Sequence, residues 1–201
     1  MIGKIKYSIL NEKIEYRGGE LRPHWNLEQT GVYGHQLVAF LGACNVKTDK
    51  LVDWEDRLAN DSIAADMMLH VIGEFFGLTL QDGILLQRFF MVWAEKLLNQ
   101  RGVSVYRKGD DLYCTKVPGL NPEIAYKLSV SIATSSAVSV LIHWGINFDS
   151  TGAPPTVQAC GLKQYDWKEC DILGFAKELL TQYIGEIEEM DIAQCKVRPV
   201  S

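Results

Sequence analysis

The sequence is poor in positive charge, with 20 lysines and arginines against 25 aspartates and glutamates and a formal net charge of −5. It has no run of basic residues to meet a phosphate backbone, so nucleic acid is not expected as a partner. Its longest nearly uncharged stretch, residues 128–148, alternates polar and apolar side chains and contains serines, a histidine and an asparagine. Such alternation predicts strands and not a membrane span, so no membrane partner is expected either.

Cysteine is also scarce, and the five cysteines form no CxxC pair and no zinc-ligand spacing: Cys44, Cys114, Cys160, Cys170 and Cys195. A disulfide scaffold or a zinc ribbon is therefore not indicated, and free, mostly buried thiols are predicted. The N-terminus lacks the apolar core of a signal peptide, so a cytoplasmic location is expected.

Several catalytic motifs are missing as well. The chain contains no GxSxG nucleophile elbow, no phosphate-binding P-loop, no HExxH zinc motif and no GxGxxG dinucleotide fingerprint. The functions that depend on those local arrangements are therefore not indicated.

What is present fits one domain over residues 1–201, since 201 residues with 47% hydrophobic side chains can bury a substantial core. Patterns of apolar residues, glycines and capping residues predict a strand or hairpin at 4–16 and strands at 36–46, 103–106, 111–114, 126–134 and 138–148. The same criteria predict helices at 63–76, 83–100 and 171–190. The fold class predicted is α+β, a mixed, mostly antiparallel sheet backed by helices.

The two strands at 126–134 and 138–148 alternate so regularly that a register can be predicted. If the apolar faces of both strands meet on one side, Ser129 lies opposite His143 and Lys127 lies opposite Gly145. A lysine beside small hydroxyls and a residue without a side chain has room to receive a carboxylate or phosphate. The alternative is an ordinary half-exposed sheet with a polar outer face.

Three segments in this region carry a resemblance: Gly-Asp-Asp-Leu-Tyr at 109–113, Lys-Leu-Ser-Val-Ser-Ile at 127–132 and Leu-Ile-His-Trp-Gly-Ile-Asn at 141–147. Their order resembles that of biotin protein ligases, in which such strands follow a buried helix. The resemblance covers about a third of the chain and implies a biotin- and lipoate-ligase-like core. In those enzymes the lysine contacts the acyl-adenylate, so the resemblance assigns that position to Lys127. It also implies ATP with Mg²⁺ as the cofactor, if the activity is shared.

The chain departs from the ligase pattern at three points. Val130 replaces a glycine, Asp110 stands where the ligases have asparagine, and no arginine- and glycine-rich loop precedes Gly109. Because of these departures, the resemblance supports a shared fold better than a shared chemistry.

A longer resemblance runs from about residue 34 to residue 165. It rests on Leu-Val-Asp-Trp-Glu-Asp at 51–56, Asp-Ser-Ile-Ala-Ala-Asp-Met-Met-Leu-His at 61–70, Gln-Arg at 87–88, and the segments at 109–113 and 127–133. On these residues the chain is similar to the family called domain of unknown function 366. That resemblance implies the ligase-like fold and no established activity.

Three further features could serve a ligand or only the fold. Ser62, Asp66, His70 and Glu74 are each four residues apart, and we interpret them as a polar stripe of the predicted 63–76 helix. Asp53, Glu55 and Asp56 form a solvated acidic loop, with Mg²⁺ binding as the less favoured alternative. Arg88 is predicted to lie on a buried helix, where its guanidinium needs Glu95 or a ligand anion as its partner.

The predicted function is binding of a small carboxylate or nucleotide-type ligand, with activation or transfer of an acyl group as the enzymatic form. The candidate catalytic residues are Lys127, His143 and Asp111; the candidate cofactor-binding residues are Ser129, Asp110, Asn147 and Arg88; no metal ligand is predicted. The alternative is a non-catalytic metabolite-binding or dimeric interaction module that lacks ligase chemistry. A homodimer is considered because edge strands of ligase-like sheets pair across two-fold axes.

Overall fold

A computed structural model describes residues 3–200. Its strands are β1 (Lys6–Ile9), β2 (Gln36–Val46), β3 (Ile63–Phe76), β4 (Val105–Lys108), β5 (Asp111–Cys114), β6 (Tyr126–Lys127), β7 (Ser129–Ser135) and β8 (Ser139–Asp149). Its α-helices are α1 (Trp25–Thr30), α2 (Trp54–Leu58), α3 (Leu80–Gln100) and α4 (Glu169–Cys195). Within this described part, no helix combines the length and the apolar character needed to cross a bilayer.

The main sheet has five strands in the order β1-β2-β3-β8-β7. Only β1 and β2 run parallel, and the other neighbours are antiparallel. A second, antiparallel sheet of β4, β5 and β6 packs beside it. The predicted α+β class, a mixed and mostly antiparallel sheet backed by helices, is confirmed, and β2 has the predicted bounds.

The predicted helix at 63–76 is wrong: this segment is β3, the central strand of the main sheet. A central strand covered on both faces is apolar on both faces, so it lacks the alternation that marks a half-exposed strand. A spacing of four residues also keeps side chains on one face of a strand, because four is a multiple of the strand period. The spacing of His70 and Glu74 therefore fits both structures. A β-bulge between Met67 and Met68 breaks the stripe, and leaves Asp66 exposed.

Both faces of the main sheet are buried, by different parts of the chain. Helices α3 and α4 cover one face, where Phe90 stacks on Trp144 with ring centroids 4.3 Å apart. A smaller apolar cluster covers the opposite face and includes Tyr16, Trp25 and Phe40. The N-terminal segment that supplies Tyr16 and Trp25 therefore closes what would otherwise be an open sheet face.

The second covered face explains why the predicted β7–β8 register is wrong. The structure pairs Ser129 with Ile146, Val130 with Gly145 and Ile132 with His143. The prediction assumed that only one face of β7 was apolar and buried, whereas Val130 and Ile132 pack on the Tyr16 side. Gly145 has no open space beside it either, since an added Cβ would lie 2.7 Å from Met68 Cε and 3.1 Å from Val130 Cγ2.

Candidate functional site

A cavity of about 340 Å³ opens on the sheet face opposite α3 and α4. Its walls come from four parts of the chain, namely residues within 44–64, 110–111, 127–132 and 153–159. Tyr16, His143 and Asn147 complete them. This volume lies within the range of small-molecule sites. Six of the seven predicted site residues line it, namely Lys127, His143, Asp111, Ser129, Asp110 and Asn147.

Lys127 and Asp111 form an ion pair in the cavity wall, with 2.8 Å between Nζ and Oδ2. They are brought together by the small sheet, in which β5 and β6 are antiparallel neighbours. Burial raises the pKa of the Asp111 carboxyl to about 6, and its attraction to Lys127 only partly offsets that effect. The pKa of Lys127 is raised. Burial lowers it, but Asp111 and other nearby acidic groups together raise it by more, so the ammonium stays charged.

The cavity as a whole is acidic. Its lining contains six carboxylates (Asp53, Glu55, Asp56, Asp61, Asp110 and Asp111) and two lysines (Lys50 and Lys127). Burial and the neighbouring Asp53 raise the pKa of Asp56, as expected where like charges crowd together. Asp53 itself caps α2 by accepting hydrogen bonds from the backbone N–H groups of Glu55 and Asp56. Residues 3–200 contain no group of three or more His, Cys, Asp or Glu side chains suited to hold a metal ion.

His143 lies in the floor of the cavity and is 3% exposed. Its Nε2 is 3.0 Å from Nδ1 of His70 on β3, and the Tyr16 ring stacks on it with a centroid distance of 3.9 Å. His70 Nε2 in turn lies 3.3 Å from the carbonyl oxygen of Gly42. Burial lowers the pKa of His70 to about 4 and that of His143 well below its ordinary value, so both rings are neutral at pH 7.

Ser129 and Asp110 are held by internal hydrogen bonds. Ser129 Oγ accepts from the backbone N–H of Leu112 at 2.7 Å. Gln87, reaching across from α3, donates to Asp110 Oδ2 at 2.9 Å and to Ser131 Oγ at 2.8 Å. These bonds fix the small sheet against β7 and α3, so the polar face that suggested a ligand is largely occupied by structural contacts.

The last two predicted residues have different positions. Asn147 lines the cavity, and its Nδ2 donates to the Cys160 carbonyl oxygen at 3.0 Å, which anchors the chain that follows the 153–159 wall. Arg88 is exposed on α3 and does not line the cavity. Its expected burial is wrong, because the side of α3 that carries Arg88 faces away from the sheet.

Two contributors to the site were not predicted. Tyr16 was assigned to the first strand without a role, and its position over His143 depends on a distant contact through the bridge between Tyr16 and Cys44. The wall at 153–159 has no part in the site predicted from the sequence, because the pairing of Lys127 with Ala159 gave no local signal. Asp53, Glu55 and Asp56 also line the cavity, whereas the sequence favoured a solvated acidic loop for them.

Similar structures include ligases. The chain matches "Biotin protein ligase from Aquifex aeolicus in complex with biotin and ATP" at TM-score 0.52 and 14% identity, covering 92% of this chain and 72% of that one. It also matches the bipartite lipoate protein ligase of Thermoplasma acidophilum at TM-score 0.52 and 9% identity, covering 92% and 84%. At these identities the likeness establishes the biotin/lipoate-ligase-like fold, as predicted, and nothing about activity.

A much stronger match is a protein of unknown function from Pyrococcus horikoshi. It is 34% identical, with TM-score 0.86 over 98% of this chain and all of that one. The family model described as "Domain of unknown function (DUF366)" matches residues 5–198. The chain therefore belongs to the DUF366 family, and its fold is that of the biotin and lipoate protein ligases.

Proposed function

We propose that the acidic cavity binds a small carboxylate or a nucleotide-type ligand and that Lys127 holds the anionic group of that ligand. The observation that carries this proposal is the half-buried ion pair between Lys127 and Asp111 in the cavity wall. The Asp111 carboxylate is poorly solvated, because burial disfavours its charged form. A ligand anion that reaches Lys127 therefore displaces a poorly solvated carboxylate from the ammonium, and not bulk water. Asp111 then takes a proton or a cation.

The excess of carboxylates restricts the form in which an anion enters. Six carboxylates against two lysines repel a free triphosphate or carboxylate. A nucleotide neutralised by Mg²⁺ does not meet that barrier, and Mg²⁺ bound with a nucleotide needs only one or two protein carboxylates because phosphates and water complete its shell. Asp110 and Asp111 are the carboxylates closest in sequence to the anion-binding lysine, and we assign them to the metal or substrate.

The experiment is a thermal-shift screen with nucleotides, biotin, lipoate and other acyl acids, each with and without Mg²⁺. A ligand at about a hundred times its Kd adds roughly 2.7 kcal/mol, or a rise in Tm of about 5–10 °C for a domain of this size. Lys127→Met is expected to abolish the shift. The matched control is Lys163→Met, because Lys163 also forms an ion pair, with Asp149 at 2.6 Å, but lies outside the cavity.

If the ligand pair is a carboxylic acid and ATP, the enzymatic form of the proposal is acyl activation. The acid's oxygen attacks the α-phosphorus, and pyrophosphate leaves as the acyl-adenylate forms. If pyrophosphate is released only when the acid is present, and is not released by Lys127→Met, the result supports an enzyme. Mg²⁺-independent binding without pyrophosphate release supports a metabolite-binding module, and no shift with any compound at saturating concentration removes the proposal.

The alternative is a non-catalytic module that acts as a homodimer. It is favoured by exposed apolar side chains on α3, where Leu85 is 62% exposed and Val92 is 42% exposed; Val138, in the turn between β7 and β8, is 51% exposed. Light scattering after size-exclusion chromatography tests it. A monomer at all concentrations, or a dimer unaffected by Leu85→Lys, removes this alternative.

A further inference from the structure

The floor of the cavity contains two buried histidines whose hydrogen bonds determine each other's protons. His70 Nε2 lies against the Gly42 carbonyl oxygen, which can only accept, so His70 Nε2 carries the hydrogen. In a neutral imidazole the other nitrogen is then bare, and His70 Nδ1 must accept from His143 Nε2 at 3.0 Å. It follows that His143 has its proton on Nε2 and a lone pair on Nδ1.

The remaining nitrogen of His143 has no competing partner inside the described chain. Within residues 3–200, the His143 side chain makes one hydrogen bond, to His70, and this bond uses Nε2. His143 is nevertheless 97% buried and lines the cavity. Tyr16 stacks on one face of the ring, at an interplanar angle of 9°, so rotation of the ring about its bond to the chain is blocked.

We infer that His70 acts as a positioning residue that makes His143 a fixed hydrogen-bond acceptor in the cavity floor, so that the ligand must present an N–H or O–H donor to His143. The inference rests on the proposed function, because it concerns the same cavity, and adds the orientation of the ligand. A carboxylate or phosphate oxygen cannot face His143, since two lone pairs would meet. The anionic end of the ligand therefore lies at Lys127 and a donor group lies at the floor.

The fixed proton also distinguishes ligands. A site built around a buried acceptor rejects a molecule that offers no donor, because the acceptor is then left without a partner away from water. Amino, amide, ureido and hydroxyl groups satisfy it, whereas ethers, esters and alkyl groups of the same size do not. The class assigned to the ligand is thus an anion that carries a neutral donor group at its other end.

The test uses the ligand-free protein and two neutral probes, so it does not depend on Lys127. Long-range ¹⁵N–¹H NMR spectra of the four histidines report which ring nitrogen is protonated. We expect His143 with Nε2 protonated and Nδ1 bare. His35 is an internal control, because its Nδ1 accepts from the Phe76 backbone N–H at 3.1 Å, outside this cavity. A proton on Nδ1 of His143 overturns the inference.

Phenol and anisole are then titrated while the His143 ring signals are followed. Phenol has one donor and anisole has none, so phenol is expected to bind roughly two- to tenfold more tightly, the range of one neutral hydrogen bond, and to shift the Nδ1 signal. Equal affinities, or no effect of either probe up to its solubility limit, overturn an accessible acceptor. His35 should respond to neither probe.

Two variants separate positioning by His70 from a purely structural role. His70→Gln keeps an acceptor and a donor in the side chain, and is expected to retain the Nε2-protonated form of His143 and the preference for phenol. His70→Met keeps bulk without either group and should lose both. If a folded His70→Met protein behaves like the wild type, His70 does not position the proton. Lys127→Met should keep the preference for phenol, because both probes are neutral. If the wild-type protein binds no nucleotide or acid but still prefers phenol, the proposed function fails and the inference about His143 stands.

Discussion

The backbone of Ile14 crosses directly over Gly42, so close that a Cβ on Gly42 would lie 1.8 Å from the Ile14 carbonyl oxygen. The crossing is held by a hydrogen bond from the Ile14 N–H to the Leu41 carbonyl oxygen at 2.9 Å. The same Gly42 supplies the carbonyl that orients His70. One residue without a side chain therefore closes the second face of the sheet and fixes the cavity floor.

Gly42→Ala is expected to destabilise the protein by about 3 kcal/mol or more, because the clash is with backbone and cannot be relieved by a side-chain rotation. Urea unfolding measures the change. The matched control is Gly174→Ala, at an exposed position of α4 where an added Cβ meets nothing within 4 Å. There the substitution should stabilise the protein by about 0.5–1 kcal/mol, since alanine is the better helix former. Equal effects at both sites would contradict the crossing.

Asp111 should make stability fall as the pH rises. Its folded-state pKa is about 6 against 3.8 ordinarily, so between these values the unfolded chain loses the proton first and is favoured. Relative to Asp111→Asn, the wild type should lose roughly 2–3 kcal/mol between about pH 4 and pH 6, and little more above that. Lys127 stays charged throughout, because its pKa is raised. The measurement is the difference in unfolding free energy at each pH.

The control for the sign is Glu15→Gln. Hydrogen bonds from Arg17 and Asn45 lower the pKa of Glu15, so its contribution to stability should be lost as the pH falls, the opposite direction from Asp111. A flat difference for Asp111→Asn, or one that runs in the same direction as that of Glu15→Gln, would contradict the raised pKa of Asp111 and would mean that attraction to Lys127 outweighs the effect of burial.

The elements that the sequence predicts well are those with a local signal. Strand β2 has its predicted bounds, and α3 begins three residues before the predicted start, at a capping box formed by Thr79 and Asp82. Strand β3 was missed because it is buried on both faces by contacts that are distant in sequence. The β7–β8 register failed for the same reason, since nothing local in the sequence indicates that Tyr16 and Trp25 cover the second face.

The site divides in the same way. Lys127 and His143 could be singled out because a polar side chain on a regularly alternating strand is conspicuous. The bond between His143 and His70 could not, since it joins residues 73 positions apart across two strands of unknown register. Arg88 was misplaced because a helix with many apolar residues does not reveal which side of it faces the sheet.

Glu74 is expected to stabilise the N-terminal cover of the sheet. Glu74 is 2% exposed. Its two carboxylate oxygens accept a hydrogen bond from the His24 backbone N–H, at 2.9 and 3.1 Å, and Oε1 also accepts one from Ser139 Oγ at 2.8 Å. Glu74→Gln should cost about 1–3 kcal/mol, since one acceptor oxygen becomes a donor that faces donors. Chemical unfolding measures it. Glu12→Gln, at an exposed position, should change stability by less than about 0.5 kcal/mol, and a similar effect at both positions would contradict the contact.

The cysteines should divide into two groups by their reactivity. Cys170 and Cys195 are exposed, whereas Cys44, Cys114 and Cys160 are buried, and burial raises the pKa of the Cys44 thiol to about 12. Because the thiolate is the reactive form, iodoacetamide should modify the two exposed residues in the native protein and all five in denaturant. Mass spectrometry of peptides taken at successive times distinguishes the sites.

The three buried cysteines should react only through transient opening of the fold. Gly42→Ala should therefore accelerate the labelling of Cys44, which lies two residues away on β2, more than Gly174→Ala does. Rapid native labelling of Cys44 would contradict the burial of its thiol in the folded protein, whether the reagent entered through the cavity or past Tyr16.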